Sequence, residues 1–258
     1  MNYKQKYLKA IEQHKYNDLL NIIFENFIEK FDYKSLSDLG SFLSDIGHGG
    51  AKIELNEESC FSLGKKLVEY SYFSHPDIHN GFALQLICLE KSKDYQTICT
   101  MMPTAKELKS GPVLNNIALS KYYLNKIDEA LQVQKDALKL KFDDNRNNQI
   151  AKYNFLLYSL FCSTEKMKNI NCANDILHML ISEDVFEYES AMALAAYANQ
   201  KDFIENHLKF FNETFIISNK LKHILNCFLK YGTKPSLAEL KPYLKPLAIY
   251  GGNFYLTT

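Results

Sequence analysis

The sequence has no Cys-x-x-Cys pair, no long uncharged apolar run, no excess of either charge and few residues that break helices. Its six cysteines, at 60, 88, 99, 162, 172 and 227, stand apart and mostly within apolar stretches. This predicts reduced thiols packed as small hydrophobes, rather than a disulfide framework or a zinc site, and hence a cytoplasmic setting. The longest uncharged stretch in the middle of the chain, 153–164, falls short of the roughly 18 to 20 apolar residues a spanning helix needs. Residues 1–15 are lysine-bearing and amphipathic, without the apolar centre of a secretion signal, so neither a membrane nor export is expected. Thirty basic residues balance thirty acidic ones, which removes any overall field toward nucleic acid or anionic lipid. Ten glycines and six prolines in 258 residues, against 47% hydrophobic residues, exclude a disordered chain and favour a helical one.

What is present is helical periodicity. Tyr7, Leu8 and Ile11, then Leu19, Leu20, Ile23, Phe24, Phe27, Ile28 and Phe31, predict a first helical hairpin around His14-Lys15. Residues 35–46 predict a short helix opened by Ser35 or Ser37 and ended by Gly47. Asn56 is placed to cap a helix from Glu57 to about Phe73, and Pro76 starts the next element. The clearest unit runs from Val113 to Phe142. Leu114, Ile117, Ala118, Tyr122 and Leu124 recur at helical spacing, Asn125-Lys126 interrupts them, and Ile127, Ala130, Leu131, Val133, Ala137, Leu138 and Leu140 resume the period. Two further candidate pairs follow, one spanning 150–181 and one turning at Lys201-Asp202-Phe203. An earlier pair, from Pro76, turns at Lys93-Asp94-Tyr95 and has its second helix broken by Pro103, and its Lys-Asp-aromatic turn recurs at 201–203. Counted from Asp94, Lys126 and Asp202, the inter-helix turns fall 32 and 76 residues apart, and 76 is twice 38, which leaves room for one lengthened repeat between the last two.

The Val113 to Phe142 unit, with its small Ala118, Ala130 and Ala137 where two helices must approach, resembles the tetratricopeptide repeat. The glycine, tyrosine and proline signatures of that family are mostly absent elsewhere. The resemblance implies an all-α fold, an α-α superhelix of about six to seven antiparallel hairpins across residues 1–246, in which stacked neighbours make the core. Residues 247–258 differ: Ala248-Ile249-Tyr250, Gly251-Gly252 and Phe254-Tyr255-Leu256 predict either a short β-hairpin or an irregular cap.

In such arrays the first helices line a groove for a peptide, so the resemblance implies a non-catalytic protein-protein interaction scaffold or adaptor. The groove-facing positions would be Asn115, Asn116, Leu119, Tyr122 and Tyr123, with Lys152 as a downstream cation. Asparagine amides pair with a peptide backbone, and tyrosines offer rigid area at low entropy cost. A carboxylate clamp of the chaperone-binding type is incomplete, because only Asn116 matches and the preceding helix offers Ala83 and Leu86.

The other chemical motifs are thin. His75 and His79 are four apart but share no third ligand, and Gly47-His48-Gly49-Gly50 lacks phosphate-loop spacing. No nucleophile-base pair stands out, so neither an enzyme nor a cofactor or metal is expected. The one charge asymmetry is Lys220, Lys222, Lys230, Lys234, Lys241 and Lys245 against Glu239, a net +5 over 220–246, interspersed with Phe228, Tyr231 and Tyr243. Its alternative readings are a nucleic-acid-associated regulatory surface and a solvated end cap.

Overall fold

The computed structural model describes residues 32–45, 57–142, 144–162, 174–182, 187–214 and 217–249, side chains at 174 and 209–214 excepted, with scattered positions before residue 26. Their regular structure is entirely helical. Most of the predicted first hairpin, the glycine loop at 47–50, Asn56, the polar stretch 163–171 and the Gly251-Gly252 hairpin lie outside the described residues.

Helix α1 (Tyr33–Asp45) begins because the Asp32 carboxylate accepts the Ser35 amide at 2.7 Å, so the cap is Asp32, three residues before the earlier of the two expected serines. Ser35 and Ser37 are buried instead. Helix α2 (Glu57–Ser74) packs along α1 where Gly40 meets Gly64; a Cβ on Gly40 would lie 2.7 Å from the Gly64 carbonyl oxygen. Helix α3 (Ile78–Leu86) opens on Asp77, which accepts the Asn80 amide at 2.7 Å, and runs into a π-helical turn, Ile87–Lys91. Helices α4 (Tyr95–Thr100) and α5 (Met102–Glu107) divide at Met101, and Pro103 falls in the first turn of α5, where its missing N–H has no helical partner to lose.

Helix α6 (Gly111–Tyr123) and α7 (Ile127–Leu138) are the two arms of the central unit. They are followed by α8 (Asn145–Phe161), capped by Asp144, and by α9 (Asn174–Leu180). Then come α10 (Tyr188–Tyr197), α11 (Lys201–Thr214), α12 (Asn219–Tyr231), the short α13 (Leu237–Leu240) and a 3₁₀ turn, Lys241–Tyr243.

One turn geometry recurs. Lys93, Lys109, Asn125 and Asn199 have φ of 53°, 50°, 58° and 61°, and each stands two residues before a helix, at Tyr95, Gly111, Ile127 and Lys201. A left-handed residue after a helix lets the next amides reach back to its last carbonyls. Lys126 N–H accordingly bonds Lys121 C=O, and Gln200 N–H bonds Ala195 C=O, both at 2.9 Å. From 93 to 109 to 125 the interval is sixteen residues each time. The frame read from Asp202 is therefore shifted. Asp202 lies inside the first turn of α11, and the residue equivalent to Asp94 and Lys126 is Gln200, 74 residues beyond Lys126.

Helix α6 sits at the middle of the packing, touching α3, α4, α5, α7 and α8, and α10 plays the same part for α9, α11, α12 and α13. A single cluster of buried side chains runs from Val68 through Ile117, Tyr153 and Leu194 to Leu244.

Candidate functional site

Four polar residues are fully buried on α3, α6, α8 and α10: Gln85, Asn116, Asn154 and Ser190, joined by Asn115 beside Asn116 and by Gln134 of α7. Burying an amide without partners is costly, and the amides among these residues are bonded to one another. Asn116 Nδ2 donates to Gln85 Oε1 at 2.8 Å, and Gln85 Nε2 donates to the Val113 carbonyl at 3.1 Å. Asn154 Nδ2 and Gln134 Nε2 both donate to Asn115 Oδ1, at 3.0 and 2.9 Å. Each amide is thereby fixed with part of its hydrogen-bonding capacity pointing off the helices.

That remaining capacity is taken by the chain itself. After the 3₁₀ turn, residues 244–249 cross the row as a strap that begins extended at Leu244, with φ −90° and ψ 100°. Ser190 Oγ donates to the Tyr243 carbonyl at 2.8 Å and accepts the Lys245 amide at 3.4 Å. Tyr153 Oη donates to the Lys245 carbonyl at 2.8 Å. Asn154 takes both backbone groups of Leu247, accepting its N–H at 2.8 Å and donating to its C=O at 2.7 Å. Asn115 adds a 3.2 Å donation to the same carbonyl. Asn116 does for Ile249 what Asn154 does for Leu247, at 2.8 and 2.6 Å. The bonded residues are 243, 245, 247 and 249, the two-residue period of an extended strand. Every bond goes to backbone, so the row holds a conformation rather than a side-chain sequence.

Beside the strap is an open cleft of about 300 Å³. Leu89, Tyr95, Leu119, Tyr123 and Ile150 give it apolar walls, Pro246, Leu247 and Ala248 form the strap side, and Glu90, Lys93, Arg146 and Glu187 bring two charges of each sign. Tyr95 and Tyr123 stack at 4.8 Å between centroids. Burial pushes the Tyr123 hydroxyl up to about 12, with the neighbouring Tyr95 and Tyr122 adding to the effect. Burial also raises Glu187, against the opposing field of Lys245.

Among the residues singled out from sequence, Asn115 and Asn116 are fully buried rather than open to solvent, because the strap covers them. Leu119 and Tyr123 line the cleft, with Tyr123 43% exposed. Tyr122 turns away from it and packs on Tyr158, 5.5 Å between centroids. Lys152 is exposed, one residue from Tyr153 but not joined to the row. Sequence reading missed Gln85, Gln134, Asn154 and Ser190. A signal existed: a buried polar residue recurs on each of these four helices, at 85, 116, 154 and 190, spaced 31, 38 and 36 residues.

The basic segment is partly occupied with aromatic rings of the same chain. Lys230 lies over Tyr231, Lys234 over Tyr197 and Lys241 over Phe161, at 5.0, 4.9 and 5.4 Å. Lys220 and Lys245 are exposed and Lys222 half-buried. Of the interspersed rings, Phe228 and Tyr243 are buried and Tyr231 is exposed. His79 bonds Asp38 at 2.8 Å and His75 stacks on Tyr33 at 5.5 Å, so the two histidines have separate protein partners. Among the described residues no group of three metal-ligating side chains occurs, and no helix is long and apolar enough to cross a membrane.

Compared with family models, with curated proteins and with solved structures, the chain gives no match. What is established is that the described residues form a multi-helix, all-helical protein with an extended segment bound to three of its helices.

Proposed function

We propose that the protein is a non-catalytic recognition module, a scaffold or adaptor that reads an extended peptide along the row Gln85, Asn116, Asn154 and Ser190. One observation supports it: Asn154 and Asn116 each clasp both backbone groups of alternate residues in a segment they already hold. A reader of backbone accepts any segment of that shape, as strand-accepting recognition sites do, while the Tyr95, Leu119 and Tyr123 walls favour apolar side chains. The partner would be a protein with an exposed extended stretch, which competes with residues 245–249.

The test uses the full chain carrying Leu247→Pro, which removes the N–H that Asn154 accepts and loosens the strap. A labelled peptide with the sequence of residues 243–250 should bind this variant more tightly than wild type. Adding Asn154→Ala should abolish the gain. No saturable binding by the Leu247→Pro chain would end the reading. Mass spectrometry of proteins that copurify with wild type, but not with Asn116→Ala/Asn154→Ala, then identifies the partner.

A further inference from the structure

The charged side chains of the cleft beside the strap are not equivalent. Glu90, Lys93 and Arg146 are exposed, where water and salt screen them, whereas Glu187 is half-buried. A charge drawn out of water acts more strongly on whatever comes near it, so one carboxylate sets the sign of the cleft interior. Glu187 stands just before α10, held by its backbone: its N–H donates to the Leu180 carbonyl at 2.8 Å, and its own carbonyl accepts the Ala191 amide at 3.0 Å. The side chain makes no cap bond to that helix. Among the described residues the carboxylate has no hydrogen bond and no ion pair. The field of Lys245 reaches it, but from an exposed side chain beyond pairing distance. A half-buried carboxylate without a partner leaves hydrogen-bonding capacity unmet.

The aromatic walls favour the same sign of guest. Tyr95 and Tyr123 lie nearly parallel, 19° between planes, and both line the cleft. Ring faces carry negative charge density and attract cations. Glu187 is near them: the Tyr123 hydroxyl is raised by burial first, then by Tyr95, Tyr122 and Glu187. Leu89, Leu119 and Ile150 add hydrocarbon surface, which a hydrated metal ion would leave unused. The guest that matches all three features is a cation carrying hydrocarbon, and a cleft of about 300 Å³ holds a small one.

We infer that the cleft is a binding site for a small organic ammonium, with its nitrogen between the Glu187 carboxylate and the Tyr95–Tyr123 pair and its hydrocarbon against Leu119 and Ile150. Pro246, Leu247 and Ala248 of the strap form part of the wall, so the site is complete only while the strap is seated. A ligand that binds the seated state alone holds it there. Asn116 and Asn154 are not among the walls. Where the row reads a peptide as proposed above, the ammonium therefore opposes that peptide from a separate site. The binding itself stands on the cleft and holds whether or not the row reads a partner.

NMR titration of the full chain, followed at the Ala248 amide and the Tyr123 ring, tests it. The probes are butylammonium, choline, neohexyl alcohol, which is the neutral carbon isostere of choline, and butyrate. The first two distinguish a primary from a quaternary head group. At least one of them should saturate, about tenfold or more tighter than the alcohol or butyrate. Glu187→Gln keeps the backbone bonds and should erase that preference, while Glu90→Gln should keep it. Exchange at the Leu247 and Ile249 amides reports in each chain that the strap is seated, and it should slow as the ammonium saturates. No saturable binding of either ammonium would overturn the inference. So would equal binding of the alcohol or butyrate, or a preference that survives Glu187→Gln. Should that variant fail to fold, choline against its isostere on the wild-type chain still decides. The peptide titration and this measurement fail separately, since one reads the asparagines and the other reads Glu187.

Discussion

Two regions carry rows of buried polar side chains, one along α1 and one across α6, α8 and α10, and the rows do opposite things. On α1, Ser37, Ser41 and Ser44 are buried with hydroxyls that reach no partner among the described residues. On α6, α8 and α10, Asn115, Asn116, Asn154 and Ser190 are equally buried, and each bonds the backbone of the strap. The serines are small residues on the helix that meets α2 at Gly40 and Gly64, and there polarity is incidental to size. The amides are large and project, and their polarity is the reason a segment 93 to 133 residues away in sequence is held. A buried polar residue signals recognition only when its partner lies outside the helices that bury it.

The largest expected effect comes from breaking the second row. Asn116→Ala/Asn154→Ala strands the backbone groups of Leu247 and Ile249 and should cost about 2–6 kcal/mol in urea unfolding, with loss of exchange protection at both amides. Next is the contact that the first row serves. Gly40→Ala drives a Cβ into the Gly64 carbonyl and Val68 and should cost about 1–3 kcal/mol by the same assay. The direct contrast is Ser190→Ala against Ser41→Ala. The first removes bonds to Tyr243 and Lys245 and should cost about 1 kcal/mol; the second removes a hydroxyl with no bond among the described residues and should be neutral or slightly stabilising. A larger loss for Ser41→Ala than for Ser190→Ala would reverse the comparison.

The smallest effect separates amides from carboxylates. Burial opposes ionisation of Asp94, but the Lys65 hydrogen bond and the Thr97 amide and hydroxyl outweigh it and hold the carboxyl at about 2. Because the folded value lies below the unfolded one of roughly 4, this contribution is complete above the unfolded value and is lost as pH falls from there through about 2. An Asp94→Asn chain should show a shallower fall in thermal midpoint over that window, whereas Asn154→Ala should leave the slope unchanged.

Helix existence was legible because the apolar period is strong: the central pair, the break at Pro103 and the turn at Asn125 all follow from local rules. The cap of α1 was misplaced because Asp32 and Ser35 are both good N-terminal residues, and only packing decides which one the fold buries. The Asp202 frame slipped because Lys-Asp-aromatic looked alike at two sites, while the quantity that repeats is a left-handed residue two positions before the helix, which lysine and asparagine supply without a sequence signature. Asn115 and Asn116 could be picked out from the central unit. What lies on them could not, since the strap joins positions more than 130 residues apart and its bonds go to backbone, which carries no side-chain code.

That separation also orders events in time. Chains emerge from synthesis N-terminal part first, and the segment that covers the row is made after every helix that forms it. Each new molecule therefore passes through an interval in which Asn116 and Asn154 are assembled and still unclaimed. On the function proposed above, that interval is when an extended segment of another protein meets no competitor.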